Sequence, residues 1–214
     1  MNDTGVAVLG LGLMGLPIAL RLQQRGFSVT GWNRGRERAE EADRQGLTLA
    51  GSPSAAAAGA GVVVLVLSDA AAIGAVLAQP DMTRQLAGRL VLQMGTIAPQ
   101  ESRDLAGAVE RAGGRWLEAP VLGSIPEARA GSLIVMAGGA PEDYARALPL
   151  LEALGKAPRR VGGTGQGAAL KLAMNQLIAA LTGGFSLSLG LVRAEGLDVA
   201  LFMELLRGSA LYAP

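Results

Sequence analysis

Gly5-Val6-Ala7-Val8-Leu9-Gly10-Leu11-Gly12-Leu13-Met14-Gly15, followed by residues 16–24 and then by residues 27–31 and Trp32-Asn33-Arg34, is the stretch that decides the fold. The apolar run before Gly10 predicts a strand buried on both faces, and residues 16–24 predict the helix that follows it. Each glycine has a separate reason to be there. Gly10 permits the tight turn, Gly12 lets backbone approach a pyrophosphate, and Gly15 lets the helix pack close to the strand. Strand, glycine turn, helix and second strand (27–31) together make a dinucleotide-binding βαβ unit. The pyrophosphate is expected on Gly10, Leu11, Gly12, Leu13, Met14 and Gly15, at the unpaired N–H groups of the helix start. Glycine turns are common in a chain with 31 Gly, so the weight lies in the elements around the motif.

The residues after the second strand bear on which dinucleotide is bound. NAD sites usually carry Asp or Glu there for the ribose 2′-hydroxyl, whereas NADP sites replace it and add cations. Here the chain reads Asn33-Arg34, with Arg36 and Arg38 just beyond and no carboxylate before Glu37. Arg34 can grip a phosphate bidentately and stack on adenine. NADPH is therefore expected over NADH, although Arg34 to Arg38 also reads as a solvated helix face.

Composition narrows the chemistry. The 214 residues include neither Cys nor His, so disulfides are impossible, a metal site is not expected, and any acid or base must be Lys, Asp, Glu or Tyr. A net charge of +1 with 17% charged residues gives no nucleic-acid footprint. Met1-Asn2-Asp3-Thr4 does not open a signal peptide, and a cytoplasmic protein is expected. Residues 172–192 carry no charge and are long enough to cross a bilayer. Asn175, Gln176, Thr182, Ser186 and Ser188 favour instead the buried centre of a soluble domain or dimer, and no membrane partner is expected.

Further along, strands are expected at 61–67, 89–93, 115–118, 132–137 and 159–161. Helices are expected at 36–45, after a Ser52 cap with Pro53 at the first position, from an Asp69 cap through 77, and at 99–112 and 141–154. This alternation predicts an α/β fold with a Rossmann-type doubly wound, largely parallel sheet over residues 1–162. From 163 to 214 the pattern becomes all-helical: one helix over 166–195, a break at Gly196-Leu197-Asp198, and another over 199–207. The long helix is too apolar to stand in water alone, and a homodimer formed through 166–195 is expected.

Lys171 and Asn175 lie four apart, so they share one helix face, with Gly167 one turn earlier leaving room for a ligand. A lysine in this apolar setting should lose part of its basicity and could give a proton to a developing alkoxide. It could equally snorkel from the helix end. Ligands in open α/β sheets bind beyond the carboxyl ends of the strands. That brings in Ser68-Asp69, Gly95-Thr96 and the loop from Glu118 to Ser124, where Thr96 offers a hydroxyl and Gly123 and Ser124 offer donors for a carboxylate. Loop Ser, Thr and Gly residues also occur as plain turn formers.

In this order the segments Val8 to Ala19, Gly95-Thr96-Ile97-Ala98-Pro99, Glu118-Ala119-Pro120-Val121, Ala130-Gly131-Ser132-Leu133 and Gly165 to Asn175 resemble the β-hydroxyacid dehydrogenase family. That family includes 3-hydroxyisobutyrate dehydrogenases, tartronate semialdehyde reductases and glyoxylate/succinic semialdehyde reductases, and the resemblance covers nearly the whole chain. It implies a small-molecule hydroxy acid, keto acid or aldehyde as substrate and Lys171 as catalytic acid/base. It implies further that Asn175 orients substrate, that Thr96 contacts nicotinamide or substrate, and that Gly123-Ser124 binds a carboxylate. Asn33-Arg34 resembles the NADPH-using reductase branch. Two departures stand out: Leu122 where the family loop has Ser, which removes a substrate hydroxyl contact, and an end at Pro214 where family members continue with further helices. The expected activity is NADPH-dependent reduction of a small aldehyde or keto acid. The alternatives are imine reduction, which a related family performs usually with Asp or Tyr at the Lys171 position, and a non-catalytic dinucleotide-binding or dimerisation module.

Overall fold

The computed structural model describes residues 5–212, and the chain forms two compact units that divide between Leu172 and Ala173. The first unit opens with β1 (Gly5–Leu9), α1 (Gly15–Gln24), β2 (Val29–Trp32), α2 (Arg36–Arg44), β3 (Thr48–Leu49) and α3 (Pro53–Ala58). It continues through β4 (Ala60–Leu65), α4 (Ala70–Leu77), α5 (Pro80–Gln85), β5 (Leu90–Gln93), α6 (Pro99–Arg111) and β6 (Arg115–Glu118). β7 (Val121–Leu122), α7 (Ile125–Ala130), β8 (Ile134–Gly139), α8 (Pro141–Leu154) and β9 (Arg159–Gly162) complete the sheet, and α9 (Gln166–Ala194) follows.

The sheet runs in the order β3-β2-β1-β4-β5-β6-β8-β7, with β9 beside β8. From β3 to β6 every pairing is parallel, and β8 runs antiparallel to both β6 and β7. This is the expected Rossmann-type, largely parallel architecture. The unbroken apolar sequences of β1 and β4 follow from burial on both faces. Val8, Val64 and Leu92 pack with Ile18, Leu22 and Leu151 from α1 and α8 on one side. Leu9, Leu65 and Val91 pack with Ile73, Met82 and Val109 from α4, α5 and α6 on the other. Helix starts fall where the caps indicate: the Ser52 hydroxyl accepts from Ala55 N at 3.1 Å and Asp69 Oδ1 from Ala72 N at 2.7 Å.

Four short elements, β3, α5, β7 and α7, carry no periodic signal, since two to six residues do not complete a repeat. The last of these had a legible start. Ser124-Ile125-Pro126-Glu127 is a capping-box spacing, and Ser124 N and Oγ both donate to Glu127 Oε2, at 2.7 and 2.8 Å. The β2 strand begins at Val29, two residues later than expected; Gly26, at φ +87°, turns the chain, and the Phe27 N–H still bonds back to Leu22 O of α1.

The second unit holds the remainder of α9 and α10 (Val199–Arg207). Gly196, at φ +66°, ends α9, and Asp198 Oδ1 accepts from Ala200 N at 2.8 Å to start α10. Phe185 and Phe202 stack with centroids 6.4 Å apart. Leu177, Ile178, Leu181, Leu187 and Leu191 on α9 and Leu201 and Leu205 on α10 stand exposed. By length and composition α9 is long and apolar enough to cross a membrane. The division between the units thus falls inside α9, since the first turns of that helix pack with the sheet.

Candidate active site

The chain order reverses between β1 and β4, which lie side by side although β2 and β3 intervene in sequence. The loops leaving the two strands diverge there, and the divergence opens a crevice beyond their carboxyl ends. A cleft of about 420 Å³ occupies that place. Gly12, Leu13, Met14, Gly15 and Ile18 line it from the glycine turn and α1, and Val66, Leu67 and Ser68 from the end of β4. Met94, Gly95 and Thr96 line it after β5, Val121 and Gly123 after β6, and Lys171 from α9.

The three glycines of the turn are not equivalent. Gly10 is at φ +100°, and a Cβ there would also run into the Val66 carbonyl. A Cβ at Gly15 would overlap the carbonyl oxygen of Gly10, so helix and strand could not pack as they do. At Gly12 a Cβ would meet nothing within 4 Å. The protein's own packing therefore does not require glycine at position 12. The N–H groups of Gly12 to Gly15 find no acceptor among the described residues, and α1 carries no acidic residue in its first turn. An uncapped helix start with a cleared backbone face fits a pyrophosphate.

Asn33, at the end of β2, ties this turn down. Its Oδ1 accepts from Leu11 N at 2.9 Å and its Nδ2 donates to Gly35 O at 2.9 Å. Leu11 itself is fully buried, so Gly10, Leu11 and Asn33 shape the turn without lining the cleft. Arg34 is exposed and lies near enough to Asp69 to help hold that carboxyl below the usual range, after the larger effects of the Ala72 N–H and the Ser68 hydroxyl. Arg36 is ion-paired with Glu40 at 2.7 Å, and its guanidinium is engaged on its own helix.

Lys171 is half-buried, and burial lowers its pKa from the ordinary lysine value. It is the one ionisable side chain among the described residues that line the cleft. Thr96 is exposed at the cleft wall. Gly123 lines the cleft, but Ser124 does not, and its hydroxyl is spent on Glu127. Leu122 is paired with Ile134 in the β7–β8 ladder, and its neighbour Val121 is the one that lines the cleft. Asn175 lies four residues beyond Lys171 on α9, in the second unit.

One expectation is corrected. Gly167 does not leave room for a ligand: it is buried, and a Cβ there would come within 2.5 Å of Met136 O and 3.1 Å of Glu118 Oε1. It lets α9 pack against β8. Sequence reasoning also missed Glu118, which entered only as part of a loop. Its carboxylate is 1% exposed and accepts from Gly165 N at 2.9 Å and Ala168 N at 3.1 Å, at the start of the helix that carries Lys171. A charged residue ending an otherwise buried strand was the available signal.

A pyrophosphate-ready glycine turn, a switch-point crevice and a desolvated lysine in the same cleft define an NAD(P)-dependent oxidoreductase of Rossmann type. The chain belongs to the family described as the NAD binding domain of 6-phosphogluconate dehydrogenase, which it matches over residues 5–165. It is 31% identical over 211 residues to glyoxylate/succinic semialdehyde reductase 1 of Arabidopsis thaliana, covering 98% of this chain and 73% of that protein. It is 34% identical over 209 residues to a 3-hydroxyisobutyrate dehydrogenase of Pseudomonas aeruginosa, covering 97% and 70%. Among solved structures, the 3-hydroxyisobutyrate dehydrogenase of Mycobacterium tuberculosis with L-serine superposes with a TM-score of 0.88 at 27% identity, covering 98% of this chain and 72% of that one. The protein is thus a β-hydroxyacid dehydrogenase-like oxidoreductase.

Proposed function

We propose that this protein reduces a small aldehyde or keto acid with NADPH, and that Lys171 gives the proton to the carbonyl oxygen. The observation that carries this reading is that Lys171, alone among the ionisable described residues, shares one cleft with the glycine turn, Thr96 and Gly123. The bound nicotinamide supplies the hydride. The chain supplies the rest. The first turn of α1 holds the pyrophosphate, the Thr96 hydroxyl and Gly123 backbone orient the substrate's polar end, and apolar Met94 and Val121 keep water from the reacting carbon. Lys171, with its ammonium partly desolvated, loses a proton to the forming alkoxide more readily than a lysine in water would. Asn175, one helical turn beyond it by spacing, is assigned the orientation of the substrate. Glyoxylate and succinic semialdehyde, which the name of one relative carries, are the first substrates to try.

NADPH oxidation in the presence of glyoxylate, succinic semialdehyde, tartronate semialdehyde and a cyclic imine tests the proposal. Turnover of at least one of the three carbonyl compounds is expected. Turnover of the imine alone would replace the proposal with imine reduction, and NADPH binding without any turnover would reduce the protein to a dinucleotide-binding module.

The preference for NADPH is assigned to Arg34, since Asn33 offers no carboxylate to repel a 2′-phosphate and Arg36 is paired on its own helix. Arg34→Ala is expected to weaken NADPH binding by about tenfold or more, the scale of one lost charge-assisted contact, and to leave NADH binding nearly unchanged. Fluorescence titration with both cofactors decides it; equal losses for the two would remove Arg34 from the phosphate site. The exposed apolar side chains of α9 and α10 support a homodimer formed through α9. It is to be tested by sedimentation, with a monomer at micromolar concentration as the contrary result.

A further inference from the structure

Glu118 ends β6, yet both its oxygens are engaged away from its own strand. Oε1 accepts the N–H groups of Gly165 and Ala168, and Oε2 accepts the Ser102 hydroxyl, whose oxygen in turn accepts Trp116 Nε1 at 3.3 Å. The first turn of α9 has no acidic residue of its own. Glu118 therefore supplies, from about fifty residues earlier in the sequence, the acceptor that the free N–H groups of this helix start need. Two glycines clear the space. A Cβ at Gly138 on β8 would overlap Glu118 Oε1, and one at Gly167 would crowd the same oxygen at 3.1 Å. Neither glycine has a positive φ, so room for this carboxylate and for the helix beside it, not backbone conformation, accounts for them. Lys171 lies one turn beyond Ala168 on the helix so held.

We infer that Glu118 is a positioning residue for Lys171: its carboxylate, steadied by Ser102 and Trp116, fixes the start of α9 and thereby the place of the lysine in the cleft. This role rests on the reductase reading of the cleft. The reach of the carboxylate, not its charge, is what the geometry requires, because the two N–H groups need an acceptor at a set distance from β6. A displacement of about 1 Å at such a helix end is enough to cost roughly a hundredfold in rate.

Two variants separate reach from charge. E118Q keeps the length and an acceptor oxygen, and its amide can donate to Ser102 Oγ; E118D keeps the charge but falls one methylene short. The chain has two lysines, Lys156 and Lys171, and Lys156 is exposed. ¹³C-methylation of the lysines followed by NMR titration of the cofactor-free protein therefore reads Lys171 as one of only two lysine side-chain signals. E118Q is expected to leave the Lys171 curve as it is in the wild type. E118D is expected to move the Lys171 curve up toward the ordinary lysine value, and to lower kcat at least roughly tenfold with NADPH affinity retained. A Lys171 curve unchanged in E118D, or moved alike by E118D and E118Q, would overturn the inference. If E118D does not fold, S102A carries the same test, with a displaced Lys171 curve expected and an unchanged one contrary. Because the titration needs neither cofactor nor substrate, a protein that shows this pattern but turns over no carbonyl compound would sink the reductase reading and leave the positioning intact.

Discussion

Lys171→Ala is expected to lower kcat for the accepted carbonyl substrate by roughly 10²- to 10⁴-fold, the usual share of a positioned general acid, while NADPH binding is nearly retained. The separation follows from where the groups stand: Lys171 is on α9, whereas the pyrophosphate site is built from the turn between β1 and α1. Lys171→Arg should rescue little, because a guanidinium is bulkier and gives up its proton far less readily. Stability should move the other way. Burial lowers the Lys171 pKa, so the folded state binds fewer protons than the unfolded chain between that lowered value and the ordinary lysine value. Stability accordingly rises with pH across that window. Below it the charged lysine is held at a cost, and Lys171→Met is expected to melt no lower than the wild type while being inactive, as at other sites kept for function at the expense of stability. Steady-state kinetics, cofactor titration and thermal melting check the three parts. Retained turnover in Lys171→Ala would remove this residue from the chemistry.

Gly12→Ala and Gly15→Ala should fail in opposite ways. At Gly12 the added methyl meets no protein atom within 4 Å, so the melting temperature should hardly change. The methyl would occupy the face that the pyrophosphate needs, and NADPH affinity is expected to fall by about a hundredfold, a loss of roughly 3 kcal/mol. At Gly15 the methyl would overlap the Gly10 carbonyl oxygen. α1 must then move off β1, which is expected to cost about 1–3 kcal/mol or more, as overpacking does, with cofactor binding lost along with it. Thermal melting and calorimetric titration of the two variants distinguish these outcomes. Tight NADPH binding by a well-folded Gly12→Ala would mean that the glycine turn does not hold the pyrophosphate.

Most of this could be read from the residues because the local signals agree. Unbroken apolar runs, Ser52 and Asp69 as caps, and Gly10-x-Gly12-x-x-Gly15 each point to the same βαβ order. What escaped had physical reasons. β3 and β7 are only two residues long, and their existence depends on a neighbouring strand, not on a pattern of their own. The antiparallel turn of β8 against β6 is a tertiary fact with no period to announce it. In the site, Lys171 stood out because it is a lone charge in an apolar stretch. Glu118 did not, because its meaning comes from N–H groups on residues 165 and 168, and sequence spacing cannot show a bond between elements so far apart. Gly167 was misjudged for the same reason: one turn before Lys171 its position suggested ligand space, whereas its neighbours are Met136 and Glu118 across the sheet. Ser124 looked like a ligand donor, but the capping-box spacing with Glu127 already accounted for its hydroxyl.

The most direct test of the central claim is the pH dependence of NADPH oxidation measured in a single turnover, with wild type and Lys171→Ala compared. A proton donor must be protonated to act, so the wild-type rate should hold at low pH and fall by about tenfold per pH unit above the Lys171 pKa. That fall should begin below the ordinary lysine range, because burial lowers the pKa. The variant should be slow and flat over the same interval. A variant as fast as the wild type, or one that keeps the same alkaline fall, would contradict the assignment of Lys171 as the proton donor.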